Sequence, residues 1–389
     1  EATCENCSNY FKNSISSTLS LRPSCPYQVL IETGKAKTKT IKDIKLLYNE
    51  YSDSKLVVSP SPILLARGLV DFLNEYPHGC SEQITSRVFS IMLLKSKYPG
   101  IISNEKFDKL LNDTISELSQ RQNNDGGFLA WPSNNYYNLE TNIFHTLYVM
   151  HFLTLAKTTN YYVPDNTFNR GIEWIKNFVS NNPSDSDDLR NKAYGIYILT
   201  LNGILPTANL VSLEKFIKDE YNESLDNDVT GIYMAATYKM MQDDKKANSI
   251  INRFKFREGK EYYSSYDTDD LRNVQYIYIT SLYFPDIFAK IKDKSADILL
   301  NIVKENRYNT LLSTYAVIAL RNFTDNITAD NVLFTAKNKA NKINIDKVMV
   351  NPFTAILVPN GNITEVSFSN KDSLYYSFIQ KGFIQESSH

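Results

Sequence analysis

Between Ile63 and Phe323 apolar residues recur at helical spacing in block after block, each bounded by Pro, Gly, Asn or Asp. ILLARGLVDFLNEY, VFSIMLLKSKY, NEKFDKLLNDTISELSQRQ and ETNIFHTLYVMHFLTLAK open the series; DVTGIYMAATYKMMQ, DTDDLRNVQYIYITSLYF and NTLLSTYAVIALRNF belong to its later part. The blocks come in pairs with polar connections, a weak internal repeat of helical hairpins. Helices that cannot each bury an apolar face alone gain a shared core by stacking, and a closed ring of hairpins does this for the whole set. The predicted class is mainly α, an α/α toroid of about six helical hairpins.

The texture differs at both ends. Residues 27–58 carry YQVLIET, KLLYNEY and SKLVVSPSP, whose alternation and β-branched residues predict strands. From about residue 343 strands return, with a P-N-G turn between two β-rich runs. The expected organisation is a helical domain over 59–342 inserted into a small β domain, with 1–58 and 343–389 as its two halves.

Composition narrows the class without identifying it. The 389 residues are 42% hydrophobic and 12% aromatic, enough for a large core. Lys+Arg number 42 against Asp+Glu 43, interspersed, so no basic footprint for nucleic acid or an anionic membrane is present. No apolar run reaches membrane-span length, and EATCENCSNYFKNS lacks a charged segment followed by an apolar one, so no targeting signal is expected in this sequence. Cys4, Cys7 and Cys25 cluster near the start; at most one disulfide forms among three, which mildly favours oxidising surroundings over a zinc site.

The fourth cysteine lies in EYPHGCSEQ. Cys80 and Gln83 stand at i and i+3, neighbours on a helical turn, so a thiolate could attack the side-chain carbonyl, expel ammonia and leave an internal thioester. Pro77 and Gly79 suit a tight lead-in, and amides at a helix N-terminus would favour the thiolate and a developing oxyanion. Tyr76 and Phe89 could shield such a bond from water. The plain alternative is a buried cysteine beside a surface glutamine.

The stretch SPSPILLARGLVDFLNEYPHGCSEQITSRVFSIMLL, Ser59 to Leu94, resembles the thioester segment of the α2-macroglobulin family, in particular its bacterial branch with Y-P-x-G-C-x-E-Q. QRQNNDGGFLAWP and the later blocks are similar to successive repeats of that family's thioester domain, and VSFSNKDSLYYSFIQKGF to strands of its CUB-like β-sandwich domain. The resemblance extends over about residues 40–383. It implies Cys80 as the thioester sulfur and Gln83 as the acyl donor, with Gly79, Glu82, Pro77, Tyr76 and His78 as supporting motif positions. It implies no metal, no cofactor and no turnover enzyme. The implied partners are target proteases, trapped covalently through lysine amines after bait cleavage, and other domains of a parent macroglobulin in the periplasm or outside the cell. Complement relatives carry a downstream histidine that steers reaction toward hydroxyls; DLRNKAYGIYIL, where it would fall, has none, so direct aminolysis is expected. His145 and His151 read as helix residues on a partly buried face, and His78 as a residue that tunes the thiol or fills the turn.

Two signals compete. QNNDGGFLAWP resembles the glutamine-tryptophan repeats of isoprenoid cyclases and prenyltransferases, and DTDD, Asp267 to Asp270, their acidic motif; a helix cap explains DTDD and Ser184 to Arg190 more simply. A toroidal binding module with a silent motif is the other alternative. Asn112, Asn222, Asn322, Asn326 and Asn362 head N-x-S/T sequons that matter only where the source glycosylates.

Overall fold

The computed structural model describes residues 23–42, 44–48, 50, 52–132, 140–219, 225, 226, 228–257, 262–264, 266–323, 329–338, 342–349, 355–357 and 363–385. Cys4, Cys7, Asn222, Asn326, Asn362 and the P-N-G turn lie outside them. Twelve α-helices fill the middle: α1 Leu65–Glu75, α2 Ser81–Lys95, α3 Asn104–Gln120, α4 Ile143–Thr158, α5 Asp165–Val179, α6 Ser186–Leu201, α7 Thr207–Asp219, α8 Val229–Met240, α9 Asp244–Ile251, α10 Asp269–Tyr283, α11 Pro285–Lys304 and α12 Thr310–Leu320.

The helices divide into two kinds. All residues of α12 are buried, and α4 buries residues on every side, His145 through Leu153 in one run. By contrast α3 buries a single stripe, Phe107, Leu111, Ile115 and Leu118, with charged residues elsewhere. Packing follows this division. The even-numbered helices contact one another in a closed cycle, α2 to α4, α6, α8, α10, α12 and back to α2, while each odd-numbered helix lies against at least one even neighbour. An apolar-all-round helix needs neighbours on every side, and the cycle with its outer layer supplies them.

Strands from both ends of the chain share one sheet. β1 (Tyr27–Ile41), β2 (Asp53–Ser59), β5 (Ala329–Asn338), β6 (Lys342–Met349), β7 (Ala355–Leu357) and β8 (Ile363–Phe383) form six strands, and β3 (Tyr262–Ser264) with β4 (Asp267–Thr268) a separate hairpin. β8 pairs antiparallel with β1 from Tyr27↔Phe383 to Ile41↔Val366, and its two halves pair with β5 and β2. A register shift between Ala36 and Thr38 coincides with the break in β8 between Ser369 and Leu374, so both strands change course there. Alternation gives the sheet two faces: Leu56, Val58, Tyr376 and Phe378 join Val332, Phe334, Val366 and Phe368 in a small core, whereas Ile31, Val57, Tyr375 and Ile379 face the helices.

The helical block leaves and rejoins the sheet at one place, where buried Ser61 Oγ donates to the Phe323 carbonyl at 2.8 Å. Strands return at Ala329, earlier than residue 343, and the described residues of KLLYNEY form no strand: Leu47 makes only an isolated bridge to Ile384, and Leu46 and Tyr48 are exposed.

Sheet and helices are also joined by charge. Lys55 of β2, buried, reaches Asp71 of α1 at 3.0 Å; Arg67 and Lys381 lie 3.3 and 3.5 Å from the same carboxylate. A close approach makes room for this contact, since a Cβ on Gly68 would come within 2.8 Å of Ile31. Burial alone would raise the Asp71 carboxyl, but the combined pull of Arg67, Lys55 and Lys381 holds it below the ordinary carboxylate value. Asp71→Asn is expected to lower the unfolding free energy at pH 7 by about 3 kcal/mol in urea titrations, because it weakens the compensation of a buried lysine. A depressed folded value stabilises above the unfolded value of about 3.9 and is lost as pH falls through the folded one, so the gap should close in acid. Equal stability of the two proteins at pH 7 would contradict this role.

Candidate functional site

All six inner helices begin at the same mouth of the ring. A cavity of about 100 Å³ there is lined by Phe144 of α4, Asp187 and Arg190 of α6, Val229 of α8, and Asp267 just before α10. Glu82 near the start of α2 meets Thr310 at the start of α12. A buried helix start leaves amides that need acceptors. Asn142, Asp185, Asp228, Thr268 and Asn309 supply side-chain oxygens for α4, α6, α8, α10 and α12, accepting from first-turn N–H groups at 2.8–3.1 Å.

At the sixth start, that of α2, the cap is Cys80. Its N–H donates to Gln83 Oε1 at 2.9 Å, and its sulfur faces the backbone N–H of Gln83, a reciprocal capping box built with sulfur and a carboxamide. The helix therefore places Cys80 and Gln83 together, as their spacing requires. A thiol one turn from a carboxamide whose oxygen is already held by a backbone N–H is a starting geometry for acyl transfer.

The surroundings fix this start from several directions. Ser81 N–H donates to the Ala130 carbonyl at 2.9 Å, Ser81 Oγ to the Leu129 carbonyl at 2.6 Å, and Arg121 Nη1 to Ser81 Oγ at 3.3 Å. Glu82 points into the ring, accepting from Ser86 Oγ at 2.6 Å and Thr310 Oγ1 at 2.9 Å; Ser86 in turn meets Tyr148 Oη at 3.0 Å. Arg87 donates to the carbonyls of Leu73 and Tyr76, both at 3.3 Å, and so holds the end of α1 against α2.

The lead-in departs from the expected tight turn. Tyr76 (φ −65°, ψ 123°) and Cys80 (φ −67°, ψ 167°) are extended, Gly79 has no positive φ, and a Cβ there would meet only Ile84 at 3.6 Å. Pro77 and His78 are exposed; His78 packs edge-on to Tyr76 at 5.6 Å, and Tyr76 to Phe72. Phe89 is no direct shield: it sits among Tyr148, His151 and Phe152, about 13 Å along the helix from Cys80 at 1.5 Å per residue.

Burial also overrides the expected thiolate. Cys80 is 7% exposed, and desolvation raises its thiol above the ordinary value. The Gln83 and Glu82 amides and Arg121 oppose the rise, and Glu82 adds to it. The thiol is thus the favoured open form near neutrality. Glu82 is raised too, by burial, which the hydrogen bonds from Ser86 and Thr310 oppose.

His145 and His151 are core groups. His145 Nε2 meets Tyr266 Oη at 2.9 Å and Nδ1 has no partner; burial, then Arg121, push it down to about 4. His151 Nδ1 meets Tyr194 Oη at 2.8 Å, and burial takes it to about 3.

Both competing motifs are structural here. Gln122 Nε2 donates to the Gly126 and Thr167 carbonyls and Trp174 Nε1 to Asp125, so the loop straps α3 to α5. Gly126 is required at φ +97°, with the Arg170 carbonyl 2.5 Å from where a Cβ would stand. In DTDD the cap is Thr268 instead of an aspartate; Asp267 is bidentate to Arg272 at 2.5 Å, Asp269 faces Arg257 and Asp270 Arg307. Asp185 caps α6 as expected. Sequence reasoning missed Ser81 and Arg121; they lie 40 residues apart, and nothing in their spacing joins them.

No family model matches the chain. The chain is similar to alpha-2-macroglobulin of Rickettsia conorii, 30% identical over 383 residues, covering 95% of this chain and 20% of the relative. An alpha-2-macroglobulin homolog of Yersinia pestis is 25% identical, covering 94% and 19%. The chain thus spans about a fifth of the length of the curated relatives it matches. Among solved structures, native Escherichia coli alpha-2-macroglobulin from domain MG7 to the C-terminus aligns with TM-score 0.69 at 20% identity, over 94% of this chain and 58% of that one. The elastase-activated E. coli protein aligns with TM-score 0.52 at 19% identity, over 94% and 33%.

Replacing Glu82 by Gln keeps the shape and removes the buried charge. A raised folded carboxyl makes the wild type lose stability as pH rises from the unfolded value toward the folded one, so E82Q should gain on wild type as pH rises above the ordinary carboxylate range in urea titrations. A difference independent of pH would contradict the assigned burial of this charge.

Proposed function

Because the chain belongs to the alpha-2-macroglobulin family, we propose that it is the segment of a protease-trapping macroglobulin that stores the reactive acyl group. The observation that carries this reading is the reciprocal cap between Cys80 and Gln83 at the start of α2. The closed cycle of inner helices supports an α/α toroid, and the shared sheet supports its insertion into a CUB-like β-sandwich domain. The meeting of Ser61 and Phe323 supports boundaries of the insertion near those residues.

Two steps follow from the geometry. The Cys80 sulfur attacks Gln83 Cδ, charge builds on Oε1 against the Cys80 N–H, the C–N bond breaks, and ammonia leaves with the thiol proton. Later a lysine amine of the protease attacks the same carbon, the C–S bond breaks, an amide forms, and the sulfur ends as a thiol. Gln83 is consumed, so each molecule acts once, as an inhibitor and not a turnover enzyme. Burial keeps water away and makes the thiolate a poor leaving group; exposure would reverse both.

His145 and His151 are enclosed and depressed, which favours direct aminolysis over transfer through an imidazole. The arginine-paired DTDD segment offers no free acid for an isoprenoid cyclase. A periplasmic or extracellular location suits such a trap, and no helix among the described residues is long and apolar enough to cross a membrane.

The test is nucleophile choice. Incubation with Nα-acetyl-lysine amide or with glycerol, followed by peptide mapping, should give an amide on Gln83 and a new thiol at Cys80 from the amine, and little ester from glycerol. Predominant ester would overturn direct aminolysis. A Cys80 that is free throughout, beside an unmodified Gln83, would favour a toroidal binding module.

A further inference from the structure

Arg121 ends α3 and is 3% exposed, an unusual place for a guanidinium unless it is compensated. Its compensation is partial. Nη2 meets Glu117, itself about half exposed, Nη1 donates to Ser81 Oγ at 3.3 Å, and Nε is buried without a partner. The buried acid Glu82, next to Ser81 in the chain, is bonded to Ser86 and Thr310 instead. Ser81 follows the cysteine directly, and its N–H and hydroxyl are both held by the loop that runs on from Arg121. The arginine therefore brings a cation, ion-paired to Glu117, up to the first turn of α2.

We infer that Arg121 is a positioning residue for the reactive pair, pinning Ser81 and setting the charge felt by the Cys80 sulfur. The inference rests on the acyl-donor reading. In aminolysis the amine nitrogen bonds to Gln83 Cδ, the C–S electron pair leaves on sulfur, and the surplus amine proton passes to solvent and then to the thiolate. A buried cation near the departing sulfur favours the thiolate without opening the site to water. The other groups around the sulfur are Glu82 with its amide and the Gln83 amide on α2, while His145 on α4 faces Arg121 with Tyr266 behind it; His78 is exposed two residues ahead. Of these, Arg121 alone is a permanent cation. The electrostatics agree in direction, since Arg121 opposes the burial that raises the thiol.

Arg121→Gln and Arg121→Lys would be compared with wild type in two measurements: the rate of methylamine incorporation, and the pH profile of Cys80 alkylation by iodoacetamide once the site is open. R121Q should react about tenfold more slowly, with the alkylation midpoint raised by about one pH unit, and R121K should stay within about threefold of wild type. Glu117→Gln, at a half-exposed position that tolerates change, removes the opposing charge and should move the midpoint the other way. Unchanged midpoints in R121Q and E117Q would overturn the inference, as would equal rate losses in R121Q and R121K with the wild-type midpoint, the signature of a merely structural arginine. A wild type that incorporates no methylamine would count against the acyl-donor reading alone, and the alkylation profiles would still decide on Arg121.

Discussion

A helix that begins inside a protein must find acceptors for its first amides, and the mouth of this ring contains six such beginnings. Five are closed with the oxygen of Asn, Asp or Thr. The sixth is closed by Cys80 and Gln83 together. On this account the chemistry of the pair is a variation on capping: the contact that starts the helix also brings a sulfur to a carbonyl. Whatever holds α2 in the ring, from Ser81 on the Leu129 and Ala130 carbonyls to Glu82 on Thr310, therefore also holds the Cys80–Gln83 pair.

Burial does two things to the pair at once. It excludes water, which would hydrolyse an acyl group, and it penalises the thiolate that any acyl transfer must release. On the proposed acyl-donor reading, exposure would separate storage from firing without a titrating switch. In the ring interior Tyr315 bonds to Tyr194 and Tyr233, and His151 meets Tyr194 through Nδ1 while its buried Nε2 has no partner.

Much of this was legible in the sequence where one periodicity dominated. The helical blocks and the Cys80–Gln83 neighbourhood follow from local spacing, which a helix converts directly into contact. Strand signals failed where apolar residues did not alternate. In β5 Leu333 is exposed between buried Val332 and Phe334, which hides the period of two, and in KLLYNEY exposed Leu46 and Tyr48 imitate a strand. Pro77 and Gly79 carry a turn signal, yet the lead-in is extended and the backbone asks nothing special of Gly79. Favouring the thiolate from the helix terminus weighed the dipole without the burial that outweighs it, and burial is a tertiary property. Ser81 and Arg121 are tertiary in the same sense.

The central claim is that Cys80 and Gln83 are joined in the folded protein. The most direct measurement is the intact mass of untreated native protein, with peptide mapping across residues 76–87 under conditions that preserve thioesters. The account predicts a mass short by one ammonia and a cross-linked peptide joining Cys80 to Gln83. A full mass, with an alkylatable Cys80 and an unmodified Gln83 from the start, would contradict it.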